Sequence, residues 1–562
     1  MSIQHVTTFI NAKRVKVVFP MLLMVVAAAL YGQYLWNPIV FDDIYAFLLD
    51  NDGHQPITRL TFKLTEIRSL PYATLAWTQA AMGQELIYFR LGNLLLHAAV
   101  VISVYFLVLQ CRAAFRALQH AEPRAAKAQA DAVAQNAVIA QDASFAFIAA
   151  LMLAAHPVAV YSVAYLVQRT TLMATLFGLL AVSSYLKGSL QRSQRWLWLS
   201  VVLYYFSAFS KEHAIMLVLV FPLITVVLFK DWPQRLKQGI WVQISLFLVA
   251  FTVLLMRTSY VGVVYELGAS KILALAPLAH PWVSSVLTQC WLFFKYLGLW
   301  LLPNPAWMSI DMREPLAQSW QSVYLLAPLA YLVWGATGLW LVLRRGRLAL
   351  AGLAMLYPWL LFGTELAAVR IQEPFVLYRS YLWLAGGIAL AFSALPPVMV
   401  KGAKPWALVA VFGLFLFGLS MDRLLSFSHP LLLWDDAEKL VHQRQELPGA
   451  ARIYYNRGTE YLKWGELARA QDDLKTAVRL QPAYHEAYGN LGVVYLKKQQ
   501  WQDAADAFDN ALAHSTVAES DPQGRYYSGR AQAREQLQDT AQARLDYEKA
   551  CRIAGRNCDK VH

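Results

Sequence analysis

Long apolar runs separated by short polar turns fill the first 420 positions, and the pattern then changes to mixed helical periodicity. A run of about 20 apolar residues is long enough to cross a bilayer core as a helix. Such runs lie at 17–36, 87–109, 143–163, 170–187, 196–210, 214–230, 240–256, 321–343, 348–364, 380–397 and 405–421, which predicts eleven spans. A further run, 285–302, is read as an interfacial or re-entrant helix on the outer side. The pattern predicts an all-α chain, a polytopic helical bundle over 1–421 with a polar loop at 37–86. A connector at 422–450, a repeat unit at 451–556 and a tail at 557–562 follow.

The repeat unit is visible as self-similarity. Gly458, Tyr461, Ala470, Leu474 and Ala477 recur 34 residues later as Gly492, Tyr495, Ala504, Phe508 and Ala511. A looser third copy puts Ala531, Ala543, Tyr547 and Ala550 a further 39 residues on, the insertion falling in the polar stretch 515–524. A period of about 34 residues with small residues where two helices touch is the tetratricopeptide pattern. Each helix pair cannot bury its apolar face alone, so the copies stack into an α-solenoid, a form that binds peptides or proteins.

Charge fixes an expected topology. The chain has a net charge of +13. Residues 1–421 hold 30 Lys+Arg against 16 Asp+Glu, and residues 422–562 hold 19 against 20, so the excess belongs to the bundle. That placement argues for membrane orientation and against nucleic-acid binding. With eleven spans and an inner N-terminus, the inner loops carry 18 basic residues and four acids, while the outer segments carry 12 of each. Letting 285–302 cross would shrink this asymmetry. The apolar run after Lys13, Arg14 and Lys16 leads into Trp36-Asn37-Pro38 rather than a small-residue cleavage site, so it reads as a retained span. Four cysteines imply no disulfide scaffold; Cys551 and Cys558 pair only if the helix ends between them, as Gly555 allows.

The chemistry concentrates on the outer side. Asp42 and Asp43 follow the first span directly, and adjacent carboxylates beside lipid are costly unless solvated or used. The bland alternative is that they cap a helix beginning near Ile44. Around them the chain resembles the glycosyltransferase C-fold superfamily, and within it the tetratricopeptide-containing protein O-mannosyltransferase-like membrane proteins. The resemblance is carried by Asp42-Asp43, Pro56-Ile57-Thr58-Arg59-Leu60-Thr61-Phe62 and Phe89-Arg90-Leu91-Gly92-Asn93-Leu94-Leu95-Leu96-His97. Downstream it continues through His156-Pro157-Val158, Tyr165-Leu166-Val167-Gln168-Arg169, Ser210-Lys211-Glu212, Leu287-Thr288-Gln289, Leu301-Leu302-Pro303 and Tyr378-Arg379-Ser380-Tyr381-Leu382. Gln55, Arg90 and Leu377-Tyr378 depart from the family pattern.

The resemblance implies an inverting transfer from a polyprenyl-phosphate-type sugar donor to an acceptor hydroxyl. An alkyl hydroxyl hardly ionises at neutral pH, so a carboxylate general base is expected. Asp43 is assigned that role, with Asp42 orienting it or replacing it. The leaving phosphate needs fixed positive charge. Arg169, Lys211 and Arg379, at the outer ends of three spans, are expected to supply it, with His156 adding a hydrogen bond. Glu212 is expected to hold Lys211. Arg59, Arg90, Asn93 and His97 are supporting residues, and Arg370 and Glu266 weaker candidates. Asn93 and His97 share one helix face, where bonding to a neighbouring helix is the competing role. No zinc-type cluster is evident, and a divalent metal at Asp42/Asp43 stays open.

The expected setting is a multi-pass protein of a bacterial inner membrane, with a cytoplasmic N-terminus and periplasmic repeats. The repeats would dock an acceptor protein, such as a pilin or secreted protein. A glycolipid acceptor and a non-catalytic membrane scaffold are the alternatives. A transporter fits less well, since the spans show no inverted repeat and the ionisable residues avoid mid-membrane.

Overall fold

The structure, a computed structural model, describes residues 12–41, 43, 61–119, 128–264, 269–275, 277–317, 323–396, 403–515, 520–555 and 557–560. Asp42, Arg59 and Glu266 lie outside the described residues. Twenty-three α-helices and several 3-10 turns make up these residues, with no strand and one isolated antiparallel bridge between Met312 and Phe375.

The bundle begins with α1 (Ala12–Tyr31), α2 (Ser69–Met82), α3 (Leu86–Gln119), α4 (Ala128–Ala154), α5 (Pro157–Val163) and α6 (Arg169–Gln191). It continues with α7 (Gln194–Ser210), α8 (Leu217–Leu228), α9 (Trp232–Gln238), α10 (Ile240–Met256), α11 (Ala269–Leu275) and α12 (Pro281–Leu301). It closes with α13 (Leu326–Leu343), α14 (Gly346–Ala367), α15 (Ser380–Ala394) and α16 (Ala403–Ser426).

Among the described residues, six helical segments are long and apolar enough to cross a membrane: Val15–Trp36, Leu86–Arg116, Leu166–Gln191, Leu326–Leu343, Gly346–Ala367 and Lys404–Ser426. Two bent pairs, Val138–Ala154 with Pro157–Val163 and Trp232–Gln238 with Ile240–Met256, raise the number to eight if each is one span. The expected eleven are therefore not shown among the described residues. The runs at 196–210 and 380–397 fold as α7 of 17 residues and α15 of 15, and 214–230 holds the 12-residue α8. The 21-residue α12 is not among the six.

Lining and interior helices differ in exposure. Val17, Met21 and Val25 of α1, Phe247, Leu248 and Phe251 of α10, Leu326, Leu329 and Leu332 of α13, and Leu408, Val411 and Leu414 of α16 are exposed. Apolar faces of that size suit lipid, not water. By contrast, α5 and α15 are buried along nearly their whole length. At the end of the bundle where α3 finishes, Arg112 pairs with Asp142 at 2.7 Å and donates to the carbonyls of Phe392 and Leu395.

The C-terminal part is three helix pairs: α18 (Ala450–Lys463) with α19 (Leu467–Leu480), α20 (His485–Lys497) with α21 (Trp501–His514), and α22 (Ser520–Gln536) with α23 (Thr540–Ala554). The recurring small positions lie where the helices cross. A Cβ at Gly492 would stand 2.8 Å from the Phe508 ring, so the two helices close only on glycine. The expected connector contains α17 (Pro430–Val441), and Arg457 of α18 ties it to the array through Asp435, Glu438 and Asp473. Past α23, Gly555 adopts a left-handed conformation, the helix ends, and the chain turns back to set the Cα atoms of Cys551 and Cys558 4.9 Å apart in a disulfide. Cys111 and Cys290 are buried thiols.

Candidate functional site

The segment from Tyr165 to Thr171 is the hub. It leaves α5, makes a 3-10 turn over Leu166–Gln168 and enters α6 at Arg169. The first N–H groups of such a turn lack helical partners. Asp43 supplies them from 123 residues upstream of Leu166: one carboxylate oxygen accepts from Leu166 N at 2.8 Å and the other from Val167 N at 2.9 Å. Asp43 is fully buried. It caps a distant turn; Ile44, where the sequence suggested a helix begins, lies outside the described residues.

Gln168 and Thr171 receive Lys211 from the other side. The ammonium donates to Gln168 Oε1 at 2.9 Å and Thr171 Oγ1 at 2.6 Å, and stands 4.9 Å from the centre of the Tyr378 ring. No carboxylate lies within ion-pairing range of Lys211 among the described residues. Burial, with Arg68 close by, pushes its ammonium well below the ordinary lysine range. Glu212 does not hold Lys211 as expected; it pairs with Arg68, whose Nε donates to Oε2 at 3.0 Å.

Arg169 points from the same turn toward α2 and α3. It donates to Asn93 Oδ1 at 2.9 Å, to the Phe89 carbonyl at 2.7 Å and to Thr74 Oγ1 and Thr78 Oγ1 at 3.3 and 3.4 Å. All four acceptors are neutral, and no carboxylate pairs with Arg169 among the described residues. Gly92 makes room for it, since a Cβ there would lie 2.6 Å from Arg169 Nη2.

Arg379 closes the hub through its neighbour Tyr378. It pairs with Glu365 at 3.1 Å, and Arg370 pairs with the same carboxylate at 3.2 Å. His213 Nε2 lies 3.1 Å from the second Glu365 oxygen. One buried glutamate therefore serves three basic side chains. Burial pulls the Arg370 guanidinium down, and Arg379 beside it adds to that.

The remaining expected residues are spent on architecture. His156 caps α5: its Nδ1 accepts from Val158 N at 3.2 Å, its Nε2 meets the Trp300 carbonyl at 3.1 Å, and its ring stacks on Trp300 at 4.2 Å. Both ring nitrogens are used, which leaves none to bind a phosphate. Arg90 donates to the carbonyls of Asn37, Pro38 and Ala164 and covers the Tyr34 ring at 4.3 Å, clamping the chain after α1 to the end of α5. Asn93 also donates to Val163 and Leu166 carbonyls, and His97 joins Tyr381 at 2.7 Å and the Ala154 carbonyl at 3.4 Å. Asn93 and His97 thus bond neighbouring helices. For a metal, no group of three or more His, Cys, Asp or Glu side chains is present among the described residues.

Sequence reasoning missed Glu365, His213, Arg68 and Glu373. Glu365 was the most findable, an acid at the end of an apolar run. Glu373 links the site to the array: Arg452 of α18 pairs with it at 2.8 Å and sits 5.0 Å over Phe41, next to the acidic pair. Phe41 also packs on Tyr165 and on Trp434 of α17.

The array compares with known proteins. A family model, the tetratricopeptide repeat, matches residues 455–524 and 494–557. The C-terminal array is built of tetratricopeptide repeats. A curated relative, tetratricopeptide repeat protein 16 of Mus musculus, is 38% identical over 115 residues, 19% of this chain. The chain spans 14% of that mouse protein's length. Tetratricopeptide repeats generally mediate protein–protein contact, so a protein partner is consistent with this part of the chain.

Proposed function

We propose that this chain is a membrane glycosyltransferase that moves a sugar from a polyprenyl-phosphate-type donor to a hydroxyl of a protein docked on the tetratricopeptide repeats. The observation that carries this reading is the meeting at one turn of side chains from four distant stretches: Asp43, Gln168 with Arg169, Lys211, and Tyr378 with Arg379. Arg169 and Lys211 are buried cations held only by neutral acceptors at ion-pair range among the described residues. Buried charge is costly without an opposite charge, and a phosphate would provide one.

In this mechanism Lys211 and Arg379 grip the donor phosphate, Lys as a point charge and Arg through its planar fork. Asp43, held in place by two backbone N–H groups, takes the proton of the acceptor hydroxyl. The acceptor oxygen bonds to the anomeric carbon as the carbon–phosphate oxygen bond breaks, the configuration inverts, and the polyprenyl phosphate leaves with the electron pair. Setting the chain in the inner membrane of a bacterium, with the repeats outside the cytoplasm, is part of the same proposal.

The test is transfer of a labelled sugar from polyprenyl phosphate to envelope proteins by the purified chain in proteoliposomes. Label on protein supports the reading, label on glycolipid alone moves the acceptor to lipid, and no transfer from any polyprenyl-linked sugar refutes it. A scaffold is the second reading. It is favoured by the hydrogen bonds that Asp43, Arg169 and Lys211 already make within the fold.

A further inference from the structure

At the far end of α6 lies a second polar hollow. Its 23 residues span about 34 Å at the helical rise, so this end stands across the bundle from the Asp43 turn. There a cavity of about 320 Å³ opens between α6, α7, α8, α9 and α10, lined by Tyr185, Arg192, Thr225, Arg235 and Gln243 among others. That volume lies in the range of small-molecule sites.

The lining is chemically specific. Arg235 is fixed by Asp231 at 2.8 Å, by the Ser189 carbonyl at 3.0 Å and by the Phe229 ring at 3.8 Å, bonds made through Nε and Nη1. The Arg192 side chain, exposed, makes no hydrogen bond or ion pair among the described residues, while its backbone N–H caps α6 on the Gly188 carbonyl. Gln243 donates through Nε2 to Tyr185 at 2.7 Å, and Tyr185 meets Thr225 at 2.8 Å, while Gln243 Oε1 is buried without a hydrogen-bond partner among the described residues. The site therefore offers cations and one unused acceptor together. The flanking stretches 187–195 and 230–239 hold six Lys+Arg and the single acid Asp231. Trp198, Trp232 and Trp241 are exposed around them, and Lys187 lies 3.6 Å over the Trp196 ring. Exposed tryptophans beside basic side chains mark a headgroup-level interface.

We propose that this cavity binds the headgroup of an anionic glycerophospholipid of the phosphatidylglycerol type from the adjacent leaflet. The phosphate lies between Arg192 and Arg235, a headgroup hydroxyl donates to Gln243 Oε1, and the acyl chains run along the exposed apolar face of α10. A basic pocket between membrane helices at the interface is a recurring form of lipid recognition. The proposal is independent of the transferase reading.

Native mass spectrometry of the full-length, delipidated protein, titrated with phosphatidylglycerol, phosphatidic acid, phosphatidylcholine and free glycerol 3-phosphate, tests it. Phosphatidylglycerol should bind at least about tenfold tighter than phosphatidylcholine, each cation near the phosphate contributing about fivefold. The double variant Arg192→Gln/Arg235→Gln should lose that preference. Arg192→Asn, a residue suited to the left-handed backbone at this position (φ 53°), should lose about fivefold and keeps the test available if the double variant fails to fold. Gln243→Leu should weaken phosphatidylglycerol binding and leave phosphatidic acid, which lacks the glycerol headgroup hydroxyls, unchanged. Equal binding of phosphatidylcholine, or an unchanged preference in Arg192→Asn, overturns the proposal. Glycerol 3-phosphate binding as tightly as the lipid makes the ligand a soluble phosphate and overturns the lipid assignment.

Discussion

Asp43 holds two positions in the account at once, cap and base, and one substitution separates them. Asp43→Asn keeps a side-chain oxygen for one of the two N–H groups but removes the base. The new amide nitrogen faces the second N–H as donor against donor, so the melting temperature falls in either role. If Asp43 accepts the substrate proton, transfer by the fully folded variant should also fall about 10²- to 10⁴-fold; a purely capping role would leave transfer by the folded variant near wild type. Lys211 yields a pH signature. It binds phosphate only when protonated, and burial beside Arg68 lowers its pKa, so activity should fall as pH rises through that lowered value, earlier than an ordinary lysine near about 10.4 would allow. Lys211→Arg should carry the alkaline limb to higher pH, read from kcat/KM across pH. Gly92→Ala sets a methyl group 2.6 Å from Arg169 Nη2; overpacking of this kind costs about 1–3 kcal/mol, and the cost should show as a lower unfolding temperature together with weaker donor binding. Asp43, Arg169, Lys211 and Arg379 were legible because charge in an apolar chain needs a reason. The Arg68–Glu212 pair was not, since Arg68 sits in an ordinary polar loop and nothing in its neighbours names a partner 144 residues away.

At the scale of elements, the repeat helices were the most legible, because close crossing demands small residues at a fixed period and that demand is written directly in the sequence. The spans were less so. Hydropathy registers an apolar run without registering what covers it. The 15-residue α15 is surrounded by protein, so its apolar character serves the interior, and α7 and α8 are parted by the polar Lys211–His213 stretch that serves the site. The closure of α23 is an element-level feature with its own test. The Cys551–Cys558 disulfide shuts a short loop and should stabilise the last repeat by about 2 kcal/mol. Hydrogen exchange in α23 should speed up in Cys551→Ser while α18 to α21 stay protected; equal exchange in both forms would mean the bond contributes nothing to the array.

For the whole molecule, the array is not a detached module. Arg452 reaches Glu373, Trp434 packs on Phe41, and Arg457 binds α17 to α18 and α19. Deleting everything after residue 429 would therefore disturb the Asp43 turn as well as remove a docking surface. A cut after α19 keeps those contacts. With residues 485–562 removed, glycosylation of protein should disappear while the chain still accumulates in the membrane and still transfers sugar to a small soluble alcohol. Retained protein modification would take the acceptor off the repeats. The claim on which the rest depends is that the buried cations and the acid around the Tyr165–Thr171 turn perform sugar transfer. Intact-mass analysis of envelope proteins, from cells lacking the chain and supplied with wild type, Asp43→Asn or Lys211→Met, tests it most directly. A glycan mass increment restored by wild type and missing with both variants at equal membrane levels is expected; an increment restored by both variants, or never present in wild type, rules out sugar transfer at this turn.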